Sequence, residues 1–299
     1  MTLPESTNRI ARATAYEGGV RAYAIEATRT VAELQERHGT FPAVTAALGR
    51  TAMGALLLAA ATLKRDESLL TIEVNGRGPA GRILCSANGR GEVRGMVARP
   101  AVHAESVNGK LNVAGVVGTS GYLSVSRQIG EREPYRGMVE LQSGEIGEDL
   151  AHYLARSEQT PSAVGIGVFV ERDGSVAAAG GFLVQILPQA DDDLVVELER
   201  RIAGLPHPTE LIRAGLSPEE ILGRIFPDGF RPLEGQGVRF HCPCTRDRFE
   251  RAIISLGEPE VNRLVEEEGD DETEVVCHFC NEAYRFSRGE MLDILRKAS

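Results

Sequence analysis

The stretch SLLTIEVNGRGPAGRILCSANGRGEVRGMV, residues 68–97, decides the fold class of this chain. It contains short runs of residues that favour β-strands, and Asn-Gly and Gly-rich turns separate these runs. Strand runs joined by such turns are typical of antiparallel hairpins. The stretch therefore predicts several consecutive antiparallel strands.

Strand patterns continue on both sides of this stretch. Residues 8–26 alternate loosely around EGGV and predict a hairpin, and the runs GYLSVSRQI and YRGMVEL predict two more strands. The segment SAVGIGVFVERDGSVAAAGGFLVQIL, residues 162–187, predicts a long hairpin that turns at Asp173-Gly174. The sheet structure is therefore expected to extend through most of the first two thirds of the chain.

Helices are predicted between these strands. One covers residues 28–38 and the next covers residues 43–64, with a glycine and a proline at the break between them. The stretch SGEIGEDLAHYLARSEQ predicts a further helix with Ser143 as its N-cap. Residues 1–189 therefore predict one α+β domain with a mostly antiparallel sheet.

The sequence changes character after this domain. Residues 191–203 predict a charged amphipathic helix, and the 34 residues from 204 to 237 contain six glycines and five prolines. Only short helical pieces, PTELIRAG and SPEEILGRIF, lie between them, and helices this short need a neighbour to stay folded. Residues 190–238 therefore predict a helical linker that docks on the first domain and is easily released.

Residues 239–299 predict a third unit. It contains two close cysteine pairs, a helix near residues 246–255 and a second helix in SRGEMLDILRKAS. The acidic run at residues 266–274 is interpreted as a solvated loop. From residue 241 onward the unit carries 14 acidic and 8 basic side chains, a net charge of −6.

Charge and hydropathy exclude several classes of protein. The net charge of the whole chain is −10, and clustered basic residues are absent from the sequence, which argues against a nucleic-acid or anionic-membrane partner. The N-terminus has no apolar signal region, and the most apolar run, residues 51–64, is shorter than a membrane span requires. We therefore expect a cytoplasmic protein whose thiols are kept reduced.

Four of the five cysteines lie in RFHCPCTRDR and EVVCHFCNEAYRF. Cys242 and Cys244 form one pair, Cys277 and Cys280 form the other, and two such pairs supply the four thiolates of a tetrahedral zinc site. The flanking histidines, His241 and His278, are alternative ligands, although four cysteines leave no need for them. Four unrelated buried cysteines are the less favoured interpretation.

Two functions fit this cysteine pattern from the residues alone. One is a constitutive zinc module that binds a partner such as nucleic acid. The other is a thiol oxidoreductase that uses Cys277 and Cys280, although that motif normally opens a helix and its flanks here predict strands. A closed four-thiolate site has no open coordination position, so we predict no catalytic residues and no enzyme.

The chain resembles the heat-shock protein 33 family of redox-regulated bacterial holdase chaperones. The likeness covers nearly the whole chain and is carried by GTSGYLSVSRQIG, YRGMVELQSGEIGEDLAHYLARSEQTPSAVGIGV, GGFLVQILP, the C-x-C pair and VVCHFCNEAYRFS. The resemblance implies a client-binding core, a linker and a zinc-binding redox switch, in that order. It implies one zinc ion per chain in the reduced, inactive form.

The resemblance also implies how the switch works. On oxidation Cys242 pairs with Cys244, Cys277 pairs with Cys280, zinc is released, and the protein prevents the aggregation of unfolded or oxidatively damaged proteins without ATP. It leaves open a homodimer in the oxidised form. Pro243 stands between the first two cysteines and fixes a backbone dihedral. We expect this restriction to affect how readily the Cys242–Cys244 disulfide closes.

Overall fold

The computed structural model describes residues 8–128, 130, 134–267 and 272–298. This described part contains thirteen strands, which are, in chain order, β1 Arg9–Ala15, β2 Val20–Glu26, β3 Leu69–Asn75, β4 Ile83–Asn88, β5 Glu92–Val97, β6 Tyr122–Gln128, β7 Tyr135–Glu140, β8 Ser162–Val170, β9 Val176–Ile186, β10 Arg231–Gly237, β11 Arg239–Phe240, β12 Glu272–Val276 and β13 Ala283–Ser287.

Ten α-helices accompany these strands in the same described residues. They are α1 Thr28–His38, α2 Pro42–Thr62, α3 Val113–Val117, α4 Gly147–Arg156, α5 Asp192–Ala203, α6 Pro208–Arg213, α7 Pro218–Ile225, α8 Arg246–Leu256, α9 Glu258–Glu267 and α10 Arg288–Ala298. The predicted α+β class is confirmed, since nearly all strand pairs are antiparallel. Among the described strands, the one parallel pair joins β11 to β5.

The chain divides into two compact units, Met1–His241 and Cys242–Ser299. The first unit contains a five-stranded sheet of order β10-β1-β2-β9-β8 and a six-stranded sheet of order β11-β5-β4-β3-β6-β7. Residues 190–238 belong to the same compact unit as residues 8–189. Their separation as a linker therefore stays a proposal about function.

Helix α2 fills the core of the first unit. It packs against strands of both sheets, and nearly all of its alanines, leucines and glycines are buried. By length and composition alone it is the one described helix that could cross a membrane, but 94% of its apolar window is buried inside the protein. Burial of this extent is typical of the core helix predicted for the run at residues 51–64.

The start of helix α4 corrects one prediction. The helix begins at Gly147, so Ser143 is not its N-cap. Asp149, which is fully buried, instead accepts hydrogen bonds from the backbone N–H groups of Gln142, Ser143 and Ile146. This carboxylate thus takes the Ile146 N–H that a capping hydroxyl at Ser143 was expected to bind, while the Ser143 hydroxyl accepts from the Glu145 N–H.

Helices α5, α6 and α7 cover the outer face of the five-stranded sheet. The helices predicted for residues 191–203, PTELIRAG and SPEEILGRIF are present, with Asp191, His207 and Ser217 accepting N-terminal hydrogen bonds. They pack on a face that is rich in alanine, and we call this face the alanine face: Ala11, Ala13, Ala15, Val20, Ala22, Ala24, Phe182 and Val184. The linker segment therefore covers apolar surface of the domain before it.

Two strands that follow these helices were not predicted from the sequence. Residues 231–237 form β10 at the edge of the five-stranded sheet, where they pair with β1. Residues 239 and 240 form β11 and pair with β5 in the other sheet. The segment therefore ends on both sheets of the first unit, immediately before Cys242.

An ion pair holds β11 against β5, and its contribution to the stability of this pairing should depend on pH. The Arg239 guanidinium lies 2.5 Å from the nearly buried Glu92 carboxylate, and this hydrogen bond lowers the pKa of Glu92 below its ordinary value of 4.5. A lowered folded pKa stabilises the docked strand above the ordinary pKa, and this contribution is lost as the pH falls through the folded pKa. The amides of Arg239 and His241, which donate to β5 and its turn, should therefore lose protection in that acidic window, measured as the exchange rate relative to the intrinsic rate at each pH.

Glu92→Gln provides the matched control for this prediction. The variant keeps the side-chain shape but has no proton to gain, so the protection of these amides should be lower at neutral pH and should vary less with pH. Equal pH dependence in both proteins would show that other carboxyl groups control the docking of β11.

The second unit is small. Helices α8, α9 and α10 pack with the β12–β13 hairpin around five buried apolar side chains: Ile253, Val261, Phe286, Met291 and Ile294. The predicted acidic loop covers residues 266–274, of which residues 268–271 lie outside the described residues. Glu266 belongs to the last turn of α9, and Glu272 is the first residue of β12. The loop prediction is therefore wrong at both of its ends.

Candidate metal centre

Two short loops of the second unit carry the four clustered cysteines. Cys242 and Cys244 lie just before α8, whose N-cap is Thr245, with its hydroxyl accepting from the Arg248 N–H. The Arg248 guanidinium also donates to the carbonyl of Pro243 at 3.1 Å. Hydrogen bonds from the first turn of α8 thus fix the backbone of this loop.

Cys277 and Cys280 lie in the turn of the β12–β13 hairpin. The Cys277 N–H donates to Glu282 O, and the N–H groups of Cys280 and Asn281 donate to Cys277 O. Asn281 adopts a left-handed conformation with φ of 56°, which asparagine tolerates better than most residues. The strands predicted on both flanks of this cysteine pair are confirmed, and they pair with each other as a hairpin.

The fold brings all four sulfur atoms together. They lie within 4.8 Å of one another, and all four cysteines are free. Cys242 Sγ lies 3.8 Å from Cys277 Sγ, and Cys244 Sγ lies 3.3 Å from Cys280 Sγ. Tetrahedral zinc with Zn–S bonds of about 2.3 Å would separate its sulfur ligands by roughly 3.8 Å, so the spacing of these sulfurs suits such an ion.

Hydrogen bonding distinguishes one thiol from the others. Burial raises the pKa of Cys242 and of Cys280. For Cys244 the opposing effect of burial is outweighed, because hydrogen bonds from Tyr284 and from the other thiols lower its pKa. The Tyr284 hydroxyl donates to Cys244 Sγ at 3.4 Å.

Thiols crowded in this way suit a cation. Four thiolates cannot share so small a volume without a positive charge among them, and a bound dication favours the deprotonated form of each ligand. The donor set, its spacing and its partial burial therefore fit a metal ion, and the four cysteines are the described residues that could hold it.

Neither flanking histidine joins this group. His241 and His278 are both exposed, and the group of possible ligands among the described residues contains cysteine alone. The sequence analysis did not identify Tyr284. The alternation of β13 could have indicated it, since Tyr284 and Phe286 are two residues apart and so point to one face of the strand.

Tyr284 also links the cysteines to the core of the second unit. Its ring packs against Phe249 of α8 with the centroids 4.7 Å apart. On the same hairpin, Phe286 is fully buried beneath the Arg246 guanidinium, which lies 4.2 Å from the ring centroid. The position of the four sulfurs and the packing of this small core therefore depend on each other.

Comparisons with known proteins agree with these features. The family model described as Hsp33 protein matches residues 8–287. The 33 kDa chaperonin of Bacillus subtilis is 47% identical over 283 residues, covering 94% of this chain and 96% of the relative. The 33 kDa chaperonin of Enterococcus faecalis is 44% identical over 291 residues, covering 97% of this chain and 96% of the relative.

A solved structure is similar over the same extent. The crystal structure of the 33 kDa chaperonin from Thermotoga maritima superimposes with a TM-score of 0.88 at 34% sequence identity. The match covers 97% of this chain and 98% of that one. The likeness therefore includes both compact units.

Proposed function

The chain belongs to the Hsp33 protein family, and from that premise we propose that it is a redox-regulated, ATP-independent holdase chaperone. It is inactive while reduced and metal-bound, and after oxidation it binds unfolded or oxidatively damaged proteins and prevents their aggregation. The observation that carries this proposal is the group of four free thiols within 4.8 Å of one another in a unit with a small apolar core.

Zinc is the metal that we propose for this site, with one ion per chain. Cys242, Cys244, Cys277 and Cys280 would hold it as thiolates, and four soft sulfur donors in a tetrahedral group suit zinc. The bound ion would supply folding free energy, about 10–16 kcal/mol in small zinc peptides, and a closed site leaves no position for a substrate. We therefore propose no catalytic residue and no enzymatic activity.

Oxidation would remove the ligands. Two thiols that form a disulfide give up two protons and two electrons, and one peroxide molecule accepts them and becomes two water molecules. We propose the pairs Cys242–Cys244 and Cys277–Cys280, so two peroxide molecules consume all four thiols. The sulfur contacts of 3.8 Å and 3.3 Å each join a cysteine of one proposed pair to a cysteine of the other, so the loops must rearrange as the disulfides form.

The segment at residues 190–238 would then be released. Helices α6 and α7 have six and eight residues and depend on packing for their stability. The chain runs from them through β10 and β11 directly into Cys242. We propose that unfolding of residues 239–299 frees β11 and then the linker, which uncovers the alanine face for clients.

The proposal assigns a role to each part of the chain. Residues 1–189 are the client-binding core, residues 190–238 are the linker and residues 239–299 are the redox switch. A cytoplasmic location suits the switch, because thiols stay reduced there until oxidant appears. Clients are the proposed partners, with a homodimer in the oxidised form and no role for nucleic acid or membrane.

The position of Cys277 weighs against the thiol oxidoreductase. It follows strand β12 and starts no helix, so no helix N-terminus stabilises its thiolate. The net charge of −6 from residue 241 onward weighs against a constitutive nucleic-acid module. Neither alternative explains why residues 190–238 cover the alanine face.

Peroxide treatment should couple four events in the full-length protein. Zinc should leave, both disulfides should form, the amides of α5–α7 should lose protection, and suppression of client aggregation should appear. The measurements are metal content, thiol trapping with mass spectrometry, hydrogen exchange and light scattering of a thermally unfolding client, with a dithiol reductant plus zinc as the reversal control. Full activity with zinc retained, or zinc release without activity, would contradict the proposal.

A further inference from the structure

Strand β10 lies at the edge of its sheet, in a position that another strand could take. It pairs with β1 over Arg9–Gly237 to Thr14–Arg231, and six of its seven residues are exposed, with only Gln236 half-buried. Strand β2, on the other side of β1, is by contrast almost wholly buried. Main-chain hydrogen bonds therefore hold β10 in place, with little contribution from side-chain packing.

The sequence of β10 makes this pairing weak. Pro232 has no N–H to donate, and the pairing is irregular between Ile10 and Arg12. Gly235 passes so close to β1 that a Cβ atom there would lie 2.7 Å from the Ile10 carbonyl oxygen. A strand with a proline, two glycines and a bulge leaves its sheet more easily than a regular strand does.

Two side-chain contacts join β1 to the same releasable segment. Arg9 forms an ion pair with Glu219 of α7, and Arg12 donates a hydrogen bond to the Gln236 side chain. Both partners lie within residues 190–238. Release of the linker would therefore free the edge of β1 and its two arginines together, and an unpaired strand edge readily accepts another strand.

We propose that the edge of β1, once β10 has left it, binds an extended segment of an unfolded client as an added antiparallel β-strand. This inference rests on the proposed function, since it requires that the linker is released. Main-chain pairing does not depend on the client's sequence, which suits a chaperone that must accept many proteins. Native proteins present few extended segments with free backbone groups, so the same edge discriminates against them.

Hydrogen exchange on the full-length protein tests the proposal. The client probe is reduced, carboxymethylated α-lactalbumin, which stays unfolded in native buffer. Oxidation should accelerate exchange at those amides of Arg9–Ala15 that pair with β10, and bound client should slow it again. Amides of β9, which lies between β2 and β8, serve as the internal control and should not change.

The outcomes distinguish a failure of linker release from a failure of strand addition. Continued protection of β1 after oxidation, with no client bound, contradicts the proposed function itself. Accelerated exchange that bound client leaves unchanged overturns the edge proposal alone, and places the client elsewhere. Protection that returns without client and rises with protein concentration assigns the edge to a second copy of this chain, which also overturns it.

A pair of variants separates the edge from the alanine face. Replacing residues 231–237 with GSGSGSG should remove β10 while α5–α7 still cover the face, so the reduced protein should bind the client probe at least about tenfold more tightly than the reduced wild type. The matched control, R231T/L233T/E234T, changes three exposed side chains but keeps a backbone that can pair. It should bind no better than the reduced wild type.

One result with these variants would overturn the strand-addition proposal. Unchanged client affinity in a folded, reduced glycine–serine variant, when the oxidised wild type binds the probe, overturns the proposal. Hydrogen exchange of α5–α7 and β9 shows whether the variant is folded and its face still covered. If the variant does not fold, the exchange experiment on the wild type decides the question by itself.

Discussion

Leu222→Asp should make the reduced protein an active chaperone. Leu222 lies in α7, is fully buried, and packs in the cluster formed with the alanine face. An unpaired carboxylate there loses its hydration without gaining a partner, at a cost of several kcal/mol. That cost should exceed the small free energy that docks so short a helix, so suppression of aggregation should approach the level of the oxidised wild type.

The matched control uses the same substitution on the exposed side of the linker. Val196 in α5 is 65% exposed, so Val196→Asp adds an equal charge without burying it. This control should stay inactive when reduced. Light scattering of a thermally unfolding client measures activity, and metal content shows that both variants keep zinc while they are tested.

Hydrogen exchange decides what a failure of Leu222→Asp would mean. If the α5–α7 amides exchange freely and the reduced variant still does not bind client, the docked linker is not what blocks binding. If those amides remain protected, the helix has tolerated the charge. In that case the prediction of weak docking is wrong, because the free energy of docking exceeds the penalty for the buried carboxylate.

Cys277→Ser should unfold residues 242–299 and leave residues 8–189 folded. Among the described residues of the second unit, the core consists of five buried apolar side chains, and small units of this kind usually depend on a metal or disulfides. Removing one of four thiolates should remove most of a contribution that is about 10–16 kcal/mol in zinc peptides. Zinc content should fall from one ion per chain to near zero, and the amides of β12 and β13 should lose protection.

The fifth cysteine provides the control for this variant. Cys85 lies fully buried in β4, where burial raises the pKa of its thiol, and it is far in sequence from the four clustered residues. Cys85→Ala should keep one zinc ion and a protected β12–β13 hairpin. X-ray absorption of the wild type and of this variant should show four sulfur ligands, whereas a nitrogen ligand would bring His241 or His278 into the site.

Cys277→Ser also tests the coupling between the two units. Loss of the second unit's fold should release the linker, so the variant should suppress aggregation without any oxidant. A variant that loses zinc and hairpin protection but stays inactive would show that unfolding of the switch does not release the linker. Retained protection in β12 and β13 would show that the unit folds without its metal.

Much of the fold and of the site was predictable because the signals are local. Turn residues and short strand runs indicated the hairpins at 68–97 and 162–187, and an uninterrupted apolar pattern indicated α2. The spacing of the two cysteine pairs is enough to indicate a four-thiol group, and the fold brings these sulfurs together. Each of these signals lies within a few residues of the feature that it predicts.

Other features depended on partners far away in the sequence or on packing between elements. The start of α4 is set by Asp149, which accepts from the Ile146 N–H that a capping Ser143 would otherwise bind. Tyr284 reaches Cys244 only because the hairpin and α8 pack together. The alternation of β13 indicates which face Tyr284 lies on, but the partners of Asp149 and Tyr284 depend on packing between elements.

The sequence by itself indicated most elements of residues 8–189, the cysteine pairs and the short helices among glycines and prolines between them. Only the tertiary structure decided that residues 231–237 add a strand to β1 and that α5–α7 cover the alanine face. Strand pairing at an edge uses backbone groups that every residue except proline carries in full, so RPLEGQG shows no pattern that indicates it. The cover on the face arises when distant apolar surfaces meet, and burial between distant segments is a property of the folded chain.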